Sequence, residues 1–169
     1  MKVSVSYECA FQKSDSFDSS RPSVLIPIKD NRDLLEFTID NLMKNDVHKI
    51  SNILVIDDRS AEDIKTLVID SGLSYLRVDN AKGFNFSMLN NIAAKVCHSL
   101  GCTEVVLWNS DLWCPDKLAF PSLLKKHRDS SSKVSGTKLV YPPVELSMNK
   151  ELDTKNIKET FPHLAGGEW

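Results

Sequence analysis

The sequence predicts an α/β fold built on a doubly wound, mostly parallel sheet that is flanked by helices. Runs such as "SVLIPIK" and "NILVIDD" are apolar throughout, which is typical of strands buried on both faces. These runs alternate with segments whose apolar residues recur at helical spacing. With 169 residues, the chain is long enough to bury the core of one such domain.

The N-terminal residues 1–22 differ from the rest. A short alternating run at Val3, Val5 and Tyr7 precedes the polar stretch "KSDSFDSS", a composition typical of a strand followed by a loop or linker. We therefore expect residues 1–22 to form a strand and linker segment. Residues 23–169 are predicted to form a single domain.

The β-α units follow in order from Ser23. After the strand "SVLIPIK", Asp33 to Glu36 resemble a capping box that opens a helix with one apolar face. The pattern repeats with the strand "NILVIDD" and a helix that starts within Ser60 to Asp63 and stops at Ser71-Gly72.

Three further strands complete the predicted sheet. "SYLRVD" is a short third strand, and the helix that follows it places Met88, Leu89 and Ile92 on one face. "EVVLWNSD" is the fourth strand, and Pro115 suits the first turn of the next helix. "VSGTKLVYP" is the fifth strand.

Composition narrows the functional classes. Hydrophobic residues make up 41% and charged residues 26% of the chain, and the net charge of -2 gives no sign of nucleic-acid binding. The 4 cysteines form no CxxC pair, so neither a zinc ribbon nor a disulfide framework is indicated. No apolar run reaches the roughly 20 residues that span a bilayer, and the N-terminus lacks a signal-peptide pattern. We expect a cytoplasmic protein.

Polar side chains follow each predicted parallel strand. In sheets of this type, ligands bind outside the carboxyl ends of the strands. Those ends carry acids and amides: Ile28-Lys29-Asp30, Asp57-Asp58, Asp79-Asn80 and Asn109-Ser110-Asp111. One edge of the sheet, called the rim below, is therefore predicted to be lined by oxygen ligands.

An acidic rim would repel a bare phosphate unless a divalent cation lay between them. Mg2+ and Mn2+ typically take one or two carboxylates together with phosphate oxygens of the substrate. Asp111, with Asn109 two residues earlier, could hold such an ion directly or through water. Asp57 and Asp58 could accept hydrogen bonds from a nucleotide base or ribose. The alternative for each of these acids is a cap or a turn.

Phosphate-binding loops of the common types are absent from the sequence. There is no GxxxxGK[ST], and the turn after the first parallel strand, "PIKDNRD", contains no glycine. "NAKGFNFS" precedes a helix N-terminus that could donate backbone N–H groups to an anion.

Taken in order, these segments resemble the family 2 glycosyltransferases with the GT-A fold. "PSVLIPIKDNRDLLEFTIDNL" resembles the opening strand and helix of that family, and "ILVIDDRSAED" resembles its strand that ends in paired acids followed by Ser. "NAKGFNFSMLNNIAA" is similar to the FNFSxxNN helix of a rhamnosyltransferase-like subgroup, and "VVLWNSDLWCPDKL" to its DxD region. The resemblance covers roughly Ser23 to Pro142.

The resemblance implies a metal site and a donor site. Asp111 would be the last acid of the DxD motif and bind Mn2+ or Mg2+, and Asn109 would stand at its first acid position. Asp57 or Asp58 would bind the base or ribose, and Pro27 and Ile28 would line the base pocket. The donor-binding residues expected on this basis are Pro27, Ile28, Asp30, Asp57, Asp58, Lys82 and Ser110.

The reaction implied is inverting transfer of a sugar from a UDP- or dTDP-sugar to a hydroxyl acceptor, in glycan or surface-polysaccharide synthesis. Glu168, in "AGGEW", is the candidate base. Three alternatives remain: a donor-binding module without turnover, a nucleotidyltransferase, and a phosphoacceptor receiver domain that would use the paired acids.

Overall fold

The computed structural model describes residues 8–80 and 83–136. The chain divides into two compact units, one ending at Trp113 and the other beginning at Cys114. The first unit contains the sheet and the predicted rim.

The sheet has five strands within the described ranges: β1 (Glu8–Gln12), β2 (Ser23–Ile28), β3 (Asn52–Asp57), β4 (Ser74–Asp79) and β5 (Val105–Leu107). Their order across the sheet is β1-β4-β3-β2-β5. The four strands β2 to β5 are parallel, and β1 pairs antiparallel with β4. Residues 8–12 of the N-terminal segment thus form an edge strand of the sheet that the following residues build. Val3, Val5 and Tyr7 lie outside the described residues.

The described part of the first unit contains four helices: α1 (Arg32–Lys44), α2 (Val47–Ile50), α3 (Ile64–Asp70) and α4 (Phe86–Ser99). The chain winds outward from β2 through β3 to β4, and α4 then returns it to β5 on the other side of β2. Winding therefore reverses at β2. In open α/β sheets, this reversal opens a crevice at the carboxyl ends of the strands.

Polar caps set where these helices begin. The Asn31 side chain accepts a hydrogen bond from Leu34 N and starts α1, so the predicted capping box at Asp33 is wrong. Asp63 caps α3 by accepting from Thr66 N at 3.0 Å, within the predicted start.

The second unit contains α5 (Ala119–Asp129). Asp116 Oδ1 accepts hydrogen bonds from Leu118 N and Ala119 N, at 2.8 and 3.0 Å, just before the helix. Pro115 therefore precedes the helix. The prediction that it lies in the first turn of the helix is wrong.

The apolar core lies on both faces of the central strands. α4 packs against β2, β3 and β5, whereas α3 packs against β3 and β4. Alternate residues of β3 face opposite sides, so Leu54 and Ile56 lie under α4. Burial of each such side chain contributes roughly 1.5–3 kcal/mol. The α4-side cluster is Leu25, Leu54, Ile56, Leu76, Val78, Leu89, Ile92, Ala93, Cys97 and Cys102.

The fourth predicted strand differs from its prediction. β5 comprises only three residues, and Val105 and Leu107 are 43% and 54% exposed. β5 is therefore not buried on both faces. The last six residues of the fifth predicted strand, 137–142, lie outside the described residues, and residues 134–136 are not in a strand.

All 4 cysteines are free thiols, with Cys9 exposed and the others buried. No helix in the described ranges has the length and apolar character needed to cross a membrane.

Candidate functional site

The rim lies where β2, β3, β4 and β5 end. Because these strands are parallel, their carboxyl ends meet at one edge of the sheet, and the loops after β2 and β5 flank the point where winding reverses. The topology thus brings the loops after β2, β3 and β5 together, as the sequence predicted. The described side chains at these ends differ sharply in burial and in partners.

Asp57, the last residue of β3, is buried and fully engaged within the protein. Its Oδ1 accepts from Ser60 N at 2.8 Å, which closes the turn after β3. Its Oδ2 accepts from the Tyr75 hydroxyl at 2.6 Å and from Arg77 Nη1 at 3.2 Å. Strand register explains these contacts, because Arg77 is the β4 partner of Asp57. Asp57 thus positions the turn, and neither of its oxygens is without a partner.

The β4 partners of Asp57 remain donors at neutral pH. Burial, together with the hydrogen bond to Asp57, raises the pKa of Tyr75 to about 12, so its hydroxyl keeps its proton. Arg77 also donates through Nε to Asp79 Oδ1 at 3.2 Å. The guanidinium therefore links the ends of β3 and β4.

Asp58 is buried like Asp57 but lacks the hydrogen-bond partners that Asp57 has. It directly follows β3, and its backbone N–H donates to Ile28 O at 2.9 Å. Its side chain is 0% exposed, yet neither carboxylate oxygen has a hydrogen-bond partner among the described residues. Lys29 Nζ lies 4.0 Å from Oδ2, close enough for an ion pair but too far for a hydrogen bond.

The electrostatics of Asp58 follow from that environment. Burial raises the pKa of Asp58 above its ordinary value. The Lys29 ammonium opposes the shift, while Asp57 and Asp79 add to it. Within the described ranges, Asp58 is the rim acid with the strongest reason to bind a donor supplied by a ligand.

The loop after β2 is fastened to the loop after β3. Asp30 N donates to Ser60 Oγ and Asp30 Oδ1 accepts from Ala61 N, both at 2.7 Å. Asp30 and Asn31 have φ angles of 56° and 59°, a left-handed conformation that Asp and Asn tolerate better than most residues. Asp30 was predicted to contact the nucleotide-sugar donor. In this structure, its role is to join the loops after β2 and β3.

Pro27 and Ile28 are buried within β2, opposite Ile56 and Asp57 of β3. Ile28 is only 3% exposed. These two residues end β2 and lie in the sheet directly before the loop that follows this strand. Their predicted contact with a base stays a prediction.

The loop after β5 is an exposed turn. Trp108 N extends the ladder by donating to Leu25 O at 2.9 Å, and Leu112 N closes the turn by donating to Asn109 O at 3.1 Å. The side chains of Asn109 and Asp111 project from this turn and are exposed. α1 supports the turn, because buried Thr38 donates through Oγ1 to Ser110 O at 2.5 Å.

Two tryptophans flank this turn. Trp108 Nε1 donates to Leu112 O at 3.1 Å, so its indole ties the turn to the end of β5. Trp113 packs edge-on against Phe37 of α1, with ring centroids 5.3 Å apart. Both tryptophans thus hold the segment that carries Asn109 and Asp111.

The β5 turn suits a weakly held divalent cation. Asn109 and Asp111 offer amide and carboxylate oxygens, which Mg2+ and Mn2+ prefer. The described ranges contain no group of three or more His, Cys, Asp or Glu residues placed to hold a metal. The two side chains therefore fit an ion that takes most of its ligands from water and a phosphorylated ligand.

The start of α4 contributes aromatic and amide groups. Asn85 caps the helix by accepting from Met88 N at 2.9 Å, and the flanking Phe84 and Phe86 are 47% and 37% exposed. Asn90 donates to Phe86 O at 2.9 Å, but its buried Oδ1 has no partner among the described residues. Lys82 lies outside the described residues, as does Glu168.

The sequence reasoning assigned no role to four residues that build the rim: Lys29, Thr38, Tyr75 and Arg77. A signal existed for two of them. Tyr75 and Arg77 alternate in "SYLRVD", so they share one face of a strand that pairs with the strand ending at Asp57. The contact of Thr38 with a carbonyl 72 residues away has no comparable signal.

No family model and no curated protein matches the sequence. Among solved structures, the chain is similar to the mannosyltransferase PcManGT from Pyrobaculum calidifontis in complex with GDP-Man and Mn2+, with a TM-score of 0.52 and 19% identity. The similarity covers 66% of this chain and 33% of that protein, so the matched part spans about one third of the mannosyltransferase. The predicted fold, a mostly parallel α/β sheet flanked by helices, is confirmed.

Proposed function

We propose that the protein is an inverting glycosyltransferase that moves a sugar from a nucleoside diphosphate sugar to a hydroxyl acceptor with the help of Mn2+ or Mg2+. The observation that carries the proposal is the pairing of two features at one rim. The end of β3 presents a buried carboxylate without a hydrogen-bond partner among the described residues, and the end of β5 presents an exposed amide and carboxylate. A nucleoside and a metal-bound diphosphate require these two environments.

The rim residues divide the binding of the donor between them. Asp58 accepts hydrogen bonds from the nucleoside, while Asn109 and Asp111 hold the cation. Thr38 fixes the backbone that carries these two ligands, through its bond to Ser110 O. When bound, the cation neutralises charge on the departing nucleoside diphosphate.

The acceptor hydroxyl must lose its proton during transfer, which requires a base. Asp57 is unsuited, because both of its oxygens already accept hydrogen bonds. Asp58 and Asp111 have other roles in this scheme. Glu168 stays the proposed base, and glycan or surface-polysaccharide synthesis stays the proposed setting.

A donor-binding module without turnover is the second candidate. The observation that favours it concerns the base: Asp57 is engaged by Ser60, Tyr75 and Arg77, and Asp58 and Asp111 are assigned to the donor, so none of these three acids is left to act as the base. The two candidates share the donor site and differ only in activity. Binding should therefore be measured before activity.

The first test is thermal unfolding of the chain with GDP, UDP or dTDP, each with and without Mn2+. A ligand at about 100 times its Kd stabilises the native state by roughly 2.7 kcal/mol, so at least one nucleotide with Mn2+ should raise Tm by several degrees. Asp70→Ala, at an exposed acid at the far end of α3, is the control and should behave like the wild type. If none of the three nucleotides moves Tm in the presence of Mn2+, the donor site does not exist.

A further inference from the structure

A cluster of basic residues lies on and around α5 in the second unit. The segment 117–133 contains five of the chain's 21 Lys and Arg residues but only one of its 23 Asp and Glu residues. Positive charge is therefore concentrated here, in a chain whose net charge is -2. The Lys, Arg and Asp side chains of this segment are all exposed: Lys117, Lys125, Lys126, Arg128, Asp129 and Lys133.

Helical spacing places the basic residues of α5 on its exposed side. Phe120 and Leu124 are 2% and 7% exposed and mark the side of the helix that is buried. The basic residues lie outside that side, within an arc of about 160°: Lys125, Lys126 and Arg128. Asp129 shares their side and offsets one of the three charges. The exposed side of α5 thus keeps a net positive charge, and a lysine at each end of the segment extends it.

Two strongly exposed apolar side chains flank the basic helix. Leu118, directly before α5, is 73% exposed, and Val134, in the stretch that follows the helix, is 86% exposed. Single exposed apolar residues are ordinary on protein surfaces, but both of these adjoin the basic segment. Cationic side chains together with exposed apolar ones match an anionic bilayer, where charged headgroups meet acyl chains.

We infer that α5 and its flanking residues dock on an anionic lipid surface. Clusters of about 4–8 Lys and Arg residues on an amphipathic helix are typical of segments that bind acidic headgroups, and the segment 117–133 meets that number. A nucleic acid fits less well, because the chain as a whole lacks the basic charge of nucleic-acid-binding domains. The docking needs no nucleotide, so it is tested separately from the donor site.

Cations near the end of a helix also stabilise the helix itself. Lys126, His127 and Arg128 lie in the last turn of α5, where positive charge interacts favourably with the helix dipole. This effect fades beyond the terminal turn, so it does not account for Lys117 before the helix or Lys133 after it. Thermal stability and lipid binding therefore distinguish the two roles.

The test is flotation of the full chain with vesicles of phosphatidylglycerol or of phosphatidylcholine. The chain should bind the anionic vesicles but not the neutral ones, and binding should weaken as NaCl is raised, because salt screens the attraction. Lys125→Gln/Lys126→Gln should weaken binding about 10-fold or more, with little change in Tm. Lys65→Gln/Lys95→Gln is the matched control, since it removes two exposed lysines from α3 and α4 and should bind like the wild type.

Leu118→Ser tests the apolar part of the contact and should weaken vesicle binding without changing its dependence on salt. It also serves as the second variant if the double substitution in α5 fails to fold. Absence of binding to anionic vesicles at low salt would overturn the inference, as would equal binding to neutral ones. An equal loss in the Lys65 and Lys95 control would assign binding to net charge and not to α5. Binding of poly(U) RNA in place of vesicles would make the partner a nucleic acid and would also overturn the inference.

Discussion

The ends of β3 and β5 lie at the same rim but are built in opposite ways. At the end of β3, Asp57 is held by Ser60, Tyr75 and Arg77, and Asp58 is covered completely. At the end of β5, Asn109 and Asp111 project from a short turn and are exposed. One end is buried, and the other is open to water.

This difference matches two kinds of ligand group. A base or ribose has a fixed array of donors, and a preformed buried site binds it without a further loss of conformational freedom. A hydrated cation carries its own ligands and is shared with phosphate oxygens, so an exposed turn is sufficient for it. Substitutions at the β3 end should therefore affect stability and selectivity, and those at the β5 end should affect metal-dependent binding.

The largest effect is expected at Asp57. Asp57→Ala removes the acceptor of three hydrogen bonds and leaves Tyr75 without its partner, so it should lower the free energy of unfolding by roughly 2–4 kcal/mol. Urea denaturation measures this loss. Tyr75→Phe removes only one of the bonds and should cost about 1 kcal/mol. If Asp57→Ala cost no more than Tyr75→Phe, the rigid network at the β3 end would be disproved.

Asp111→Ala should change ligand binding without changing stability. Because its side chain is exposed, Tm without ligand should stay unchanged, whereas nucleoside diphosphate affinity in Mn2+ should fall about 10-fold or more. Calorimetry with and without Mn2+ measures the change. Asp70→Ala is the matched control, since it removes an exposed acid at the far end of α3, away from the rim. Retention of full Mn2+ dependence in Asp111→Ala would show that the residue only forms the turn.

Asp58→Asn should stabilise the protein at neutral pH, by about 1 kcal/mol or 2–4 °C in Tm. The folded-state pKa of Asp58 lies above the unfolded value, chiefly through burial, with Lys29 opposing and Asp57 and Asp79 reinforcing the shift. The folded state thus holds this proton more tightly, and the cost of ionisation appears as pH rises from the unfolded pKa through the folded one.

The advantage of Asp58→Asn should accordingly shrink as pH falls through that window. Thermal unfolding between neutral and acidic pH measures it, with Asp70→Asn as an exposed control. A stability gain that is the same at every pH would exclude the buried carboxylate as its cause.

The smallest effect is expected at Thr38, which joins α1 to the β5 turn. Thr38→Val removes the donor to Ser110 O and should cost about 0.5–1.5 kcal/mol of stability, with a few-fold loss of Mn2+-dependent affinity. Thr38→Ser keeps the hydroxyl and should retain most of that affinity. Equal losses in the two variants would point to packing as the role of Thr38.

The sequence predicted the rim better than the differences within it. Each predicted rim position came from a strand end, and the strand order indeed places these ends at one edge. The distinction between Asp57 and Asp58 depends on the register with β4, which places Arg77 opposite Asp57. Tertiary contacts set this register, and the secondary-structure propensity of one segment does not predict it.

Two other differences have physical causes of the same kind. The helix start at Asn31 depends on a left-handed backbone at Asp30 and Asn31, which is fixed by the bond between Asp30 and the Ser60 loop. The exposure of Val105 and Leu107 depends on where β5 lies in the sheet, although the run itself is apolar. In both cases, neighbours that are distant in sequence decided the outcome.

The central claim is that the two strand ends form one site for a single metal-bound nucleotide. Titration of Mn2+, followed by its electron paramagnetic resonance signal, tests this claim directly when it is done with and without saturating GDP or UDP. Because binding linkage is reciprocal, Mn2+ should bind about 10-fold or more tightly in the presence of a nucleotide that the protein binds. Asp111→Ala should abolish this gain. Equal Mn2+ affinity with and without a bound nucleotide would contradict the account.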